Sequence, residues 1–130
     1  MVISRAHWDE LVAHTREESP KECCGWLRLN DGRAEEVFRG QNAIETSPLY
    51  GYKLDARTLY DAYMAEEEGH GIAMYHSHPR SPSEPSQTDI NLAEYPHWLS
   101  VIVSGTEEPA VRAWHIDDGK VEEEDVSVEG

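Results

Sequence analysis

The chain has 130 residues, 11 basic against 26 acidic, for a net charge of −15. That imbalance argues against a nucleic-acid partner, because phosphate binding needs a positive footprint, and no apolar run approaches the ~20 residues of a membrane span. With 38% hydrophobic and 28% charged residues the length suits one packed domain over 1–130, and an N-terminus without a signal-peptide core leads us to expect a cytoplasmic protein.

Val2-Ile3 reads as a short strand and Ser4 as the N-cap of a helix over Arg5–Glu18. Trp8, Leu11, Val12 and Thr15 recur there at helical spacing, with His7 and His14 expected at the surface; Pro20 ends the helix. Cys23–Asn30 and Ala34–Arg39 read as antiparallel strands turned at Asp31-Gly32, which puts Glu22 at the mouth of the first. Adjacent strand residues face opposite ways, so Cys23 and Cys24 cannot bridge each other, and a reducing compartment fits them.

Gln41–Ser47 is polar loop and Pro48–Leu54 an extended piece, whose Tyr50 and Tyr52 either line a groove or pack on the sheet. Asp55 caps a second helix in which Ala56, Leu59, Tyr60, Tyr63 and Met64 form one stripe, expected in the core. Ile72–His78 reads as a strand, Ser86–Glu94 as a short helix stopped by Pro96, and Trp98–Ser104 and Ala110–Ile116 as buried strands. The acidic end, 117–130, reads as an edge strand over Val121–Val128 or as a partly disordered tail. The predicted fold is α/β (α+β): a mixed, mostly antiparallel sheet flanked by two main helices, with a short third helix beside the site below.

The segment AMYHSHPRSPSEPSQTD, residues 73–89, makes little sense as packing and good sense as chemistry. His76 and His78 are two apart on a strand, so both imidazoles leave one face, where they can share a divalent ion. Pro79, Pro82 and Pro85 then take the chain out of the sheet and return Ser86 and Asp89 towards that face. A carboxylate from Asp89 completes a two-His-one-Asp set with a fourth tetrahedral position open, as in catalytic zinc sites. Taken singly these residues have plainer readings: a surface histidine is usually only that, and Ser86-Gln87-Thr88-Asp89 also fits a helix capping box.

The string from His76 to Asp89 resembles the signature of the JAMM (MPN+) metallopeptidase family, H-[ST]-H-P-x6-S-x2-D, at His76, Ser77, His78, Pro79, Ser86 and Asp89. The upstream pattern P-x-E-x-C-G-x-L is similar to this chain at Pro20, Glu22, Cys24, Gly25 and Leu27. The resemblance spans the whole chain and implies an MPN-type fold, one Zn ion per chain on His76, His78 and Asp89, Glu22 as general base, and Ser86 supporting the oxyanion. It implies hydrolysis after the C-terminal Gly-Gly of a ubiquitin-like or sulfur-carrier protein. The ending Trp114–Glu123 looks most like the Mec-type members that release cysteine from a sulfur carrier. RadC-like relatives, linked with DNA repair, carry Asn where Ser77 stands here. The alternatives are a deconjugating isopeptidase for ubiquitin-like modifiers and, from another class, a non-catalytic MPN scaffold. Scaffold members typically lose a ligand or the glutamate, and none is lost here.

Overall fold

The computed structural model describes all 130 residues. In chain order the elements are β1 (Val2–Ser4), α1 (Arg5–Glu18), β2 (Cys24–Asn30), β3 (Arg33–Arg39), α2 (Ala56–Glu67), β4 (Gly71–His78), α3 (Gln87–Asn91), β5 (Leu99–Ser104), β6 (Val111–Asp117), β7 (Lys120–Glu124) and β8 (Ser127–Glu129). The eight strands form one sheet, ordered β7-β6-β5-β4-β2-β3-β1-β8. β4–β5, β1–β3 and β1–β8 are parallel and the other four pairings antiparallel, giving the expected mixed sheet.

Local chemistry sets the boundaries. The Ser4 hydroxyl accepts from the His7 amide at 3.1 Å and the Asp55 carboxylate from the Thr58 amide at 3.2 Å, which satisfies otherwise free donors at the starts of α1 and α2. Both Asp-Gly turns have positive φ at each central residue: 50° and 75° at Asp31-Gly32, 48° and 78° at Asp118-Gly119. Those values suit a hairpin turn whose twist matches its strands.

The alternation of β4 divides the interior in two. Ala73 and Tyr75 face α1, joining Ile3, Leu11, Leu27, Val101 and Val103 in one cluster. Ile72 and Met74 face α2, with Cys24, Trp26, Leu54, Ala62, Ala65 and Trp98 in a second. His76 and His78 continue the α2 side beyond the apolar part of the strand.

Three expectations need correcting, and a fourth, an edge strand over Val121–Val128, is met by two strands rather than one. Helix α2 buries Ala62 and Ala65, whereas Tyr60, Tyr63 and Met64 are 57%, 40% and 42% exposed, because the narrow space over β4 takes alanines rather than aromatic rings. His14 is buried, not on the surface: its Nδ1 accepts from the Tyr75 hydroxyl at 2.7 Å beneath α1. Residues 48–54 form no strand; apart from an isolated bridge between Leu54 and Asn42, hydrogen bonds to Glu22, Asn42 and Ala43 and the packing of Tyr52 and Leu54 hold them. The acidic end forms two strands on opposite edges of the sheet, β7 against β6 and β8 against β1, with only Asp125 and Val126 between them. The sheet therefore curls until its edges lie near each other.

Candidate active site

The register of β2 against β4 assembles the first half of the site. Cys24 pairs with His76 and the pairing runs antiparallel, which carries Glu22 opposite His78 just beyond the end of β2. Facing residues in such a pair project from the same side. Glu22, Cys24, His76 and His78 thus share one face, although 54 residues separate the two segments. The ligand-type atoms of Glu22, His76 and His78 all lie within 4.8 Å of one another.

The ends of Glu22 are held by the 41–48 loop. Its amide donates to the Pro48 carbonyl at 2.7 Å, and its carbonyl accepts from Asn42 Nδ2 at 3.0 Å. Its Oε1 is buried without a hydrogen-bond partner. Burial pushes the carboxyl pKa above its ordinary value, the two imidazoles pull it back and Asp89 adds to the rise.

Asp89 arrives from the other side on α3. The Ser86 hydroxyl accepts from the Asp89 amide at 3.1 Å, and the Ser86 amide donates to Asp89 Oδ2 at 2.9 Å, a full capping box. The same carboxylate reaches the histidines: Oδ1 is 3.2 Å from His76 Nε2 and Oδ2 is 2.9 Å from His78 Nε2. The cap and the ligand readings of this residue are therefore not rivals, because the cap aims the carboxylate. Burial alone would raise the Asp89 pKa, but the bonds to His76, His78 and the Ser86 amide outweigh it and hold the group well below the carboxylate range.

Three acceptor-bearing groups so close need something positive between them. His78 Nδ1 donates to the Pro82 carbonyl at 2.7 Å, which leaves Nε2 as the lone-pair nitrogen of the neutral ring. That lone pair faces His76 Nε2 at 3.2 Å and a carboxylate at 2.9 Å. Without a cation the set relieves this by protonation, and the His78 pKa is raised: burial opposes the charge, but Asp89 and the Pro82 carbonyl favour it more. Ligands ~2.0–2.1 Å from a tetrahedral zinc stand about 3.3 Å apart, close to the separations found here. The donor set and its spacing fit a zinc-like ion.

Two further features border the cluster. Tyr52 stacks on His76, with ring centroids 4.3 Å apart and 16° between planes, and its hydroxyl lies 3.7 Å from Met74 Sδ. A groove of about 340 Å³ opens on His76 and Asp89, walled by Ile44, Tyr52, Leu59, Leu92, Tyr95 and Trp98, with Lys53 in its lining. Of the two tyrosines weighed as groove residues, Tyr52 lines it, whereas Tyr50 is 80% exposed and does not. Cys24 donates weakly to the Gln41 carbonyl at 3.5 Å, and burial pushes its thiol pKa well up, so it is no thiolate nucleophile. Cys23 is buried on the opposite face beside Thr15 and Ser77.

Residues 4–117 match the family model described as prokaryotic homologs of the JAB domain. A relative from Mycobacterium tuberculosis named CysO-cysteine peptidase is 38% identical over 98% of this chain and 90% of its own length. A Thermus thermophilus relative named probable TtuB-protein conjugate cleaving protease is 34% identical over 92% of this chain and 78% of its own. Among solved structures, a JAB1/MPN domain protein from Archaeoglobus fulgidus covers the whole of both chains with a TM-score of 0.62 at 21% identity, which shows a shared fold.

Proposed function

The chain belongs to the family of prokaryotic JAB-domain proteins, a hydrolase family, and from that premise we propose that it is a zinc peptidase that cleaves after the C-terminal Gly-Gly of a ubiquitin-like or sulfur-carrier protein. The observation that carries this reading is the convergence of His76, His78 and Asp89 within 3.2 Å, with the unpartnered carboxylate of Glu22 beside them. In this reading the whole chain, 1–130, is one catalytic domain.

His76, His78 and Asp89 would hold the ion. When bound, zinc supplies Lewis-acid polarisation of a carbonyl and lowers the pKa of a water towards ~7. Glu22 takes a proton at its carboxylate as water adds to the glycine carbonyl, and returns it to the departing nitrogen. Its raised pKa suits both steps, since a stronger base accepts more readily near neutral pH. Ser86 uses its oxygen to accept from the Asp89 amide, which leaves its O–H free to donate to the carbonyl oxygen as that atom gains charge. In sum, water adds across the amide and the C–N bond breaks, releasing the carrier as a carboxylate and the leaving amine as an ammonium.

Substrate class follows from the relatives' names. A carrier bearing one C-terminal cysteine is the first choice, by likeness to the peptidase at 38% identity. The 34% identical conjugate-cleaving protease favours, as the second reading, an isopeptide bond between a modifier and a protein. Glu22→Gln is the deciding variant. It should retain one zinc per chain by metal analysis and lose about 10²–10⁴-fold in cleavage of a Gly-Gly-Cys carrier. Full activity in that variant overturns the mechanism.

A further inference from the structure

Glu22 stands one step outside the sheet. The pairing of β2 with β4 begins at Cys24 and His76. Cys23 is still tied to β4, its amide donating to Ser77 Oγ at 2.8 Å and its carbonyl accepting from the Ser77 amide at 3.0 Å. At Glu22 the strand contacts stop. Its amide turns to the Pro48 carbonyl and its carbonyl to Asn42 Nδ2, while its Oε1 is buried with no partner. The 41–48 loop, rather than the sheet, therefore sets where this carboxylate stands.

Asn42 does more than hold that one carbonyl. Its Nδ2 also donates to the Gly51 carbonyl at 3.0 Å, and its Oδ1 accepts from the amides of Ile44 and Lys53, both at 3.1 Å. An asparagine side chain offers two N–H donors and a carbonyl oxygen with two lone pairs, and here all four are used. The partners fix which end is which: two carbonyls require the nitrogen and two amides require the oxygen. Aspartate has the shape without the donors, and alanine has neither. The base of the loop is closed without this side chain, by the Ala43 amide on the Lys53 carbonyl at 2.7 Å and the Asp55 amide on the Gln41 carbonyl at 3.1 Å. What the side chain adds is a link between the two sides of the site. One partner is Glu22; the others, Ile44, Gly51 and Lys53, line the groove, and between the last two sits Tyr52 with its ring on His76.

We propose that Asn42 is a positioning residue that joins the proton-transferring carboxylate to the ring that orients His76. Through Nδ2 it places Glu22, and through the Lys53 amide on Oδ1 it keeps Tyr52 against His76. The proposal rests on the peptidase reading above and deepens it.

The experiment uses two variants. Asn42→Asp keeps the acceptors for Ile44 and Lys53 but turns a carboxylate oxygen on the carbonyls of Glu22 and Gly51. With zinc saturating, its kcat on the Gly-Gly-Cys carrier should fall about 10- to 100-fold, the cost of polar groups left unpaired, with KM little changed. Asn42→Ala adds no charge and should lose as much in kcat. It gives up the Lys53 bond as well, so in chelator competition it should also bind zinc about tenfold less tightly. In the Glu22→Gln protein there is no base to place, so adding Asn42→Asp should cost no more than about twofold further. A full second loss there, or an unchanged kcat in either single variant, overturns the placing of Glu22 by Asn42. Unchanged zinc affinity in Asn42→Ala overturns its role towards Tyr52, and the peptidase reading survives both results. An unaltered, zinc-loaded protein that leaves the carrier whole overturns the peptidase reading and the Glu22 half of the proposal with it.

Discussion

His76 differs from His78 in how its ring is held. His78 is anchored through Nδ1 to the Pro82 carbonyl and Asp89 through the Ser86 amide, but His76 Nδ1 is buried with no hydrogen-bond partner. A metal-binding imidazole ordinarily has its second nitrogen fixed by an acceptor; here the nearly parallel face of Tyr52 at 4.3 Å does the orienting. Tyr52→Leu removes that face, and metal affinity measured by chelator competition should fall about tenfold, at the low end of the cost of losing an outer support. Tyr52→Phe keeps the ring and gives up only the long contact to Met74 Sδ, so its affinity should stay near that of the unaltered protein. Equal affinities in all three would assign the orientation of His76 to the backbone of β4 alone. That His76 and His78 share a face was readable from residue spacing, because residues two apart on a strand project from one side. Tyr52 could be named only as a groove or sheet residue, since nothing local says which ring it will meet.

At the scale of elements, the site depends on β2 and β4 lying in one register, and Gly25 shows how closely they are packed. A Cβ there would fall 2.3 Å from the Phe38 carbonyl oxygen and 2.6 Å from the ring of Tyr75, neither of which has room to retreat. Tyr75 in turn docks α1 through His14. Burial, with Arg39 nearby, lowers the His14 pKa below its ordinary 6.5 while Glu10, Glu17 and Glu18 pull weakly the other way. The Tyr75 hydroxyl, its own pKa raised by burial, stays protonated and donates to the imidazole. Between the lowered folded value and 6.5 the unfolded chain holds a proton on His14 that the native state lacks, so unfolding free energy rises with pH there. The stability His14 provides is complete above about pH 6.5 and declines as pH falls towards the folded value. His14→Gln keeps a polar partner for Tyr75 and does not titrate. Urea unfolding at pH 7.5 and 5 should therefore show a smaller acid loss for the variant; equal losses would mean that His14 does not sense this pH range. Sequence periodicity placed α1 correctly yet put His14 on its outside, because a helical wheel ranks residues by polarity and cannot see a buried hydroxyl waiting opposite. The same limit misplaced Tyr60, Tyr63 and Met64: α2 is apolar on more than one side, and only the clearance over β4 decides which side goes in.

For the molecule as a whole, the charge of −15 is spread over a sheet whose edge strands are themselves acidic. Some of that charge is answered locally: Glu10 and Glu17 face Arg39, Glu36 faces Arg28, Glu123 faces Arg112, and Glu129 faces Arg33. Exposed pairs of this kind contribute about 0–1 kcal/mol each and weaken in salt. The unmatched carboxylates repel one another in the folded state more than in the expanded one, and this term also weakens as the Debye length shrinks from ~30 Å at 0.01 M to ~3 Å at 1 M. The two effects of salt oppose each other, and their balance depends on number: acids exceed bases by 15, whereas each salt-bridged arginine offsets only one or two of them. Repulsion therefore dominates, and the midpoint of thermal unfolding should rise by several degrees between about 0.01 and 0.5 M NaCl, where screening has removed most of the long-range term. A midpoint that falls with salt would show that the local pairs outweigh the net charge. In that case neutralising Arg112, which holds β6 against the Glu123 side of β7, should destabilise the protein by more than the small amount an exposed pair commands.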